Sequence, residues 1–229
     1  MAAPLTATTA VLLPGTASDE VFVRSAFARP LARAGFALVA PSSRSVRAHL
    51  AALDAAWTGK PLLVGGVSLG AQIAAAWAAR HPRRCAGVLA ALPAWVGRPD
   101  GAPAALAALA SASAVDSEGL AAALTGVDGW LGAELRRAWP RYGERLPAVL
   151  REAATTDAPS SGELRGLRVP VGVVACTDDP IHPLEVARQW ADALPRAALR
   201  TTTLAALGAD REALGRAALD AYLAAAALA

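Results

Sequence analysis

The chain has 229 residues, 55% of them hydrophobic, a mean hydropathy of +0.36 and a formal net charge of +3. That length accommodates one α/β domain with a full core and a small insertion, and is short for two domains. The positive charge is nearly all arginine, with Lys60 the only lysine, and neither an arginine run nor aromatic-basic alternation stands out, which excludes a nucleic-acid partner from the expected functions.

In chain order, apolar runs at Ala10–Leu13, Ala37–Ala40, Leu62–Gly65, Gly87–Ala91, Val169–Cys176 and Ala198–Thr203 predict strands. Helical patterns fall between and after them, at roughly Glu20–Ala34, Val46–Trp57, Leu69–Arg80, Pro183–Leu194 and Asp210–Leu228. This alternation predicts an α/β fold, a mostly parallel sheet of about six strands with helices on both faces. The rhythm breaks between Trp95 and Leu167, where several helical patterns occur without a strong strand. Residues 95–167 are expected to form a helical lid inserted into a single domain spanning 1–229. The uncharged stretch Pro61–Ala79 approaches membrane-spanning length, but a proline, three glycines, Ser68 and Gln72 interrupt it, so a buried strand and a buried helix explain it better. Cys85 and Cys176 lie in apolar runs and read as buried free thiols. The N-terminus has no basic segment before its apolar residues and no convincing cleavage site, so a cytoplasmic protein without membrane attachment is expected.

The most informative positions are Gly66-Val67-Ser68-Leu69-Gly70, with an apolar strand before them and a helix after them. Strand, G-x-S-x-G, helix is the arrangement of a nucleophile elbow, in which the two glycines keep a very tight turn free of bulk. Ser68 would then stand out at the top of a sheet and at a helix N-terminus, whose dipole favours developing negative charge. Such a serine needs a base, a carboxylate to orient the base, and two donors for the oxyanion. The amide of Thr16, in the Pro14-Gly15-Thr16 loop after the first strand, and the amide of Leu69 are the candidate donors. Asp179, after the strand ending at Cys176, is the better placed acid; Asp178 could equally cap the turn.

These features resemble the α/β-hydrolase fold superfamily in its short form, over essentially the whole chain. The resemblance implies a nucleophile at Ser68, an acid after the next-to-last strand and a histidine after the last. This sequence departs from that pattern, because Ala209 stands after Gly208 where the family would place its histidine. Three histidines can compensate. His49 is expected on the solvent side of a helix, and His81 at the far end of the elbow helix, about 15 Å or more from Ser68. His182 lies three residues after Asp179 in a proline-bounded loop at the same end of the sheet as Ser68, so it is the candidate base; a loop histidine that merely lines the pocket is the other reading.

Trp95, Trp130 and Trp139 are the candidate pocket aromatics. Ser18, Asp19 and Glu20 read as a helix cap and acidic first turn, with a pocket role for Asp19 or Glu20 as a second reading, and Asp210 reads as a helix cap. No residue cluster has metal-ligand spacing and no glycine loop has a nucleotide-binding pattern, so no metal and no cofactor is expected, only a small-molecule substrate. Two functions follow. The first is a serine hydrolase acting on a small carboxylic ester or thioester through an acyl-enzyme at Ser68. The second is a non-hydrolytic or impaired relative, a binding protein or lyase, motivated by Ala209.

Overall fold

The computed structural model describes residues 7–228, and the first six residues of the expected N-terminus lie outside this range. Six strands, β1 (Thr9–Leu13), β2 (Ala37–Val39), β3 (Leu62–Val67), β4 (Cys85–Ala91), β5 (Val171–Cys176) and β6 (Ala197–Thr202), form one parallel sheet in the order β2-β1-β3-β4-β5-β6. The inner strands are continuous apolar runs because both of their faces are covered, whereas β2 and β6 are partly exposed edges. The fifth strand begins two residues later than the sequence pattern predicts, at Val171. Pro170 has no amide to donate, although its carbonyl still accepts from Val88 at 2.9 Å.

Helices α1 (Glu20–Arg33) and α11 (Glu212–Ala226) cover one face through Phe22, Phe27, Leu31, Leu214 and Tyr222. Helices α2 (Val46–Ala56), α3 (Leu69–Arg80) and α9 (Leu184–Ala193) cover the other around Leu53, Trp77 and Trp190. The uncharged stretch that begins at Pro61 is therefore strand, turn and helix, all within the core. Among the described residues no helix is long and apolar enough to cross a membrane. Cys85 and Cys176 are buried free thiols, both pushed up to about 12 by burial.

Between β4 and β5 the chain forms α4 (Pro103–Glu118), α5 (Leu120–Ala123), α6 (Gly129–Ala138), a 3₁₀ segment (Trp139–Arg145), α7 (Leu146–Ala154) and α8 (Ser161–Gly166). This stretch has its own apolar cluster, in which Trp139, Tyr142, Leu146 and Leu150 pack with Trp95. After β6 a short helix, α10 (Leu204–Ala209), intervenes before α11, an element not evident from the sequence pattern. Strand order reverses between β1 and β3, and in open parallel sheets ligands bind beyond the carboxyl ends of the strands at such a point. Thr16 follows β1 and Ser68 follows β3.

Candidate active site

Ser68 holds φ 52° and ψ −118°, a conformation that costs a non-glycine residue about 1–3 kcal/mol and persists only where the surroundings enforce it. Here β3 and α3 enforce it from both sides, with the Ser68 amide donating to the Ala91 carbonyl at 2.8 Å. A β-carbon on Gly70 would lie 2.5 Å from the carbonyl oxygens of both Leu13 and Pro14, and one on Gly66 would collide with the Leu13 carbonyl. Both elbow glycines are thus required by the close approach of the β1 end to the turn. The Gly15 segment lies against the same turn, since a β-carbon there would sit 3.5 Å from Ser68 Cβ. Among the described residues the amides of Thr16 and Leu69 donate no hydrogen bond; Leu69 directly follows the serine, and Thr16 lines the same cavity.

The loop after β5 carries Asp179 and His182 into the same space. Asp179 Oδ1 accepts from the amides of Ile181 at 2.8 Å and His182 at 3.1 Å, an Asx-type turn that folds the loop on its own carboxylate. The other oxygen, Oδ2, lies 2.9 Å from His182 Nδ1, and His182 Nε2 lies 2.9 Å from Ser68 Oγ. Acid, imidazole and hydroxyl therefore form one continuous relay, and two of its members come from a single tight loop. Burial alone would raise the Asp179 carboxyl, but its hydrogen bonds to His182, the charge of that ring and the two backbone amides outweigh burial and hold it below the usual carboxylate range. An ionised Asp179 beside Nδ1 favours the tautomer with its proton on Nδ1, the one in which Nε2 can accept from the serine hydroxyl.

The segment after β6 serves a different purpose. Asp178 accepts from the Leu204 amide at 2.6 Å and the Ala205 amide at 3.5 Å, so it caps α10 instead of orienting His182. Gly208 admits the Trp130 ring, because a β-carbon there would meet Trp130 Cδ1 at 2.6 Å. Trp130 Nε1 donates to the Leu204 carbonyl at 3.0 Å and completes that contact. Ala209 ends α10, exposed and outside the cavity wall, while Leu204 and Leu207 of the same helix line it. Position 209 therefore does not face the constellation, and the glycine before it answers to packing.

The other histidines are structural. His49, expected to face solvent, is buried with 3% exposure, because α2 turns this residue inward; its Nδ1 lies 2.5 Å from Ser43 Oγ. Burial pushes its imidazole down to about 4. His81 ends α3, stacks on Trp77 at 4.7 Å between centroids and bonds the Trp77 carbonyl at 2.9 Å. Asp19 caps α1 and, with Glu20, is tied to arginines, and neither lines the cavity. Asp210 accepts from the Glu212 amide at 2.9 Å at the start of α11.

Ser68, Thr16, Asp179 and His182 open onto a cavity of about 370 Å³. Trp95, Trp130 and Trp139 all line it, joined by Ala107, Ala108 and Ser111 of α4, Leu131, Glu134 and Leu135 of α6, and Leu150 and Ala153 of α7. Helices of the segment between β4 and β5 thus supply nearly half of its wall, and that wall is predominantly apolar. Sequence reasoning missed the α10 leucines and Glu134; no local motif marks them. Among the described residues no group of three or more His, Cys, Asp or Glu side chains is placed to hold a metal ion.

Sheet order, elbow and loop placement together define the α/β-hydrolase fold. Solved structures of that fold superpose over most of the chain. An alpha/beta hydrolase enzyme from a Medee basin deep-sea metagenome library matches with a TM-score of 0.71 and 13% identity, covering 96% of this chain and 90% of its own. The enol-lactonase of Burkholderia xenovorans matches with a TM-score of 0.64 and 18% identity, covering 86% and 83%. A thermophilic esterase of Thermogutta terrifontis matches with a TM-score of 0.62 and 18% identity, covering 86% and 82%. No protein-family profile matches the chain, and no curated protein matches it in sequence.

Proposed function

We propose that this chain is a serine hydrolase acting on small carboxylic esters or thioesters through an acyl-enzyme at Ser68. The observation that carries this reading is the relay from Asp179 Oδ2 through His182 to Ser68 Oγ, with 2.9 Å at each step. The esterase and lactonase among the structural neighbours are consistent with it. In the first step His182 Nε2 takes the Ser68 proton as Oγ attacks the acyl carbon. The amides of Thr16 and Leu69, with the N-terminus of α3, stabilise the oxyanion of the tetrahedral intermediate. His182 then returns the proton to the leaving oxygen or sulfur, and water repeats the sequence to release the acid. Asp179 stays ionised throughout and stabilises the imidazolium.

The apolar wall favours an uncharged acyl group, aliphatic or aromatic. The helices of the inserted segment act as the lid over that group. A non-hydrolytic role was motivated by the absence of a histidine at position 209; with His182 against Ser68, that motive disappears. Hydrolysis of p-nitrophenyl acetate, butyrate and octanoate by the wild type and by Ser68→Ala tests the proposal. Turnover that falls at least 1,000-fold in the variant is expected. Wild-type turnover equal to that of Ser68→Ala on all three esters would overturn it.

A further inference from the structure

The loop that presents the Thr16 amide is held unusually firmly for a helix-capping turn. Next to Thr16, Ala17 has φ 53°, in the left-handed region that side chains disfavour, and such strain survives only when contacts over-determine the backbone. Asp19, two residues on, is 1% exposed. Its Oδ1 accepts from the amides of Val21 at 3.0 Å and Phe22 at 3.3 Å, which already completes an ordinary cap. Yet the carboxylate also accepts from Arg137 Nη2 at Oδ1 and Nη1 at Oδ2, each at 2.7 Å, and from Arg141 Nη1 at Oδ2 at 2.8 Å. Arg141 Nη2 reaches Glu20 at 2.8 Å, Arg137 also pairs with Glu134 in the cavity wall, and the Tyr142 hydroxyl donates to the Ser18 carbonyl at 2.5 Å. Every one of these long-range ties comes from residues 137–142 of the lid, more than 110 residues away in sequence.

Burying a carboxylate is expensive unless it is fully paired, and a helix cap alone needs neither a charge nor two guanidiniums. We propose that Asp19 is a positioning residue: the Asp19–Arg137–Arg141 clamp locks the lid to the oxyanion loop and holds the Thr16 amide at the point where the oxyanion forms. The catalytic part of this proposal rests on the hydrolase reading. The mechanical part, a lid-to-loop lock, does not.

Asp19→Asn tests it, since asparagine keeps the size and the capping acceptor but removes the charge that two arginines share. Two measurements are made on the folded variant: amide hydrogen exchange across residues 15–22, and steady-state hydrolysis of p-nitrophenyl butyrate. The expected results are exchange of this segment at least 10-fold faster, with the Asp179–His182 loop unchanged, and kcat lowered 10- to 100-fold with KM within about 2-fold, as for a weakened oxyanion donor. If Asp19→Asn does not fold, Arg137→Gln, whose side chain is partly exposed, should give the same pattern. Unaltered exchange in a folded variant overturns the clamp. Faster exchange with unchanged kcat overturns the positioning role. A wild type that hydrolyses no ester would sink the hydrolase reading instead, and the exchange result would still decide the lock.

Discussion

Asp179 and His182 occupy one turn, and their separation by three residues makes their pairing a local structure. The Asx turn fixes the loop, the loop fixes the imidazole, and only the last link, to Ser68, spans 114 residues. Under the proposed hydrolysis, His182→Ala removes the proton carrier and not a binding surface, so it should lower kcat by roughly 10³–10⁴-fold while changing KM little. Asp179→Asn should lower kcat by a comparable factor, since an amide can favour the wrong imidazole tautomer and leaves Nε2 protonated. Steady-state kinetics on p-nitrophenyl butyrate checks both. A fall confined to KM would instead make His182 a pocket wall.

At the scale of elements, the segment after β6 is given over to the short helix α10 and its packing. Thr203 and Asp178 cap this short helix, Leu204 and Leu207 face the cavity, and Gly208 receives Trp130. Gly208→Val should overpack that contact and destabilise the protein by about 1–3 kcal/mol, measured by urea unfolding. By contrast, Ala209→His should leave kcat within about 2-fold, because the position is exposed and outside the cavity wall. A large gain in rate from that substitution would show that α10 can deliver a second base.

The same elements show what could be read from sequence and what could not. The elbow was legible because strand, glycine, serine, glycine and helix are adjacent in the chain. Asp179 and His182 were legible because a proline-bounded loop after an apolar strand restricts where they can go. The short helix α10 was not: six residues rich in alanine carry too little periodicity to be distinguished from a loop. His49 was placed on the wrong side of α2, since a single histidine among alanines and leucines does not reveal which face is buried. The arginines on Asp19 were invisible because those contacts bridge 118 and 122 residues and have no local signature.

For the whole molecule, stability should depend on His49 in a defined window. Burial lowers its imidazole to about 4 in the folded state, against 6.5 for the free side chain. The unfolded chain therefore binds a proton more readily, so this contribution is fully present above pH 6.5 and is lost as pH falls from 6.5 toward 4. The shift amounts to about 2 kcal/mol lost between pH 7.5 and pH 5, read from urea unfolding at the two values, and His49→Gln should flatten that difference. Two faces of core, the helical segment between β4 and β5 and a strained elbow thus converge on one serine hydroxyl, so its reactivity is the most direct measure of the whole arrangement. A fluorophosphonate probe, mapped by peptide mass spectrometry and timed in the wild type and in His182→Ala, reads it. The expected result is a single adduct on Ser68, formed at least 100-fold more slowly in the variant. No adduct on Ser68, or equal rates in the two proteins, would contradict activation of Ser68 by His182.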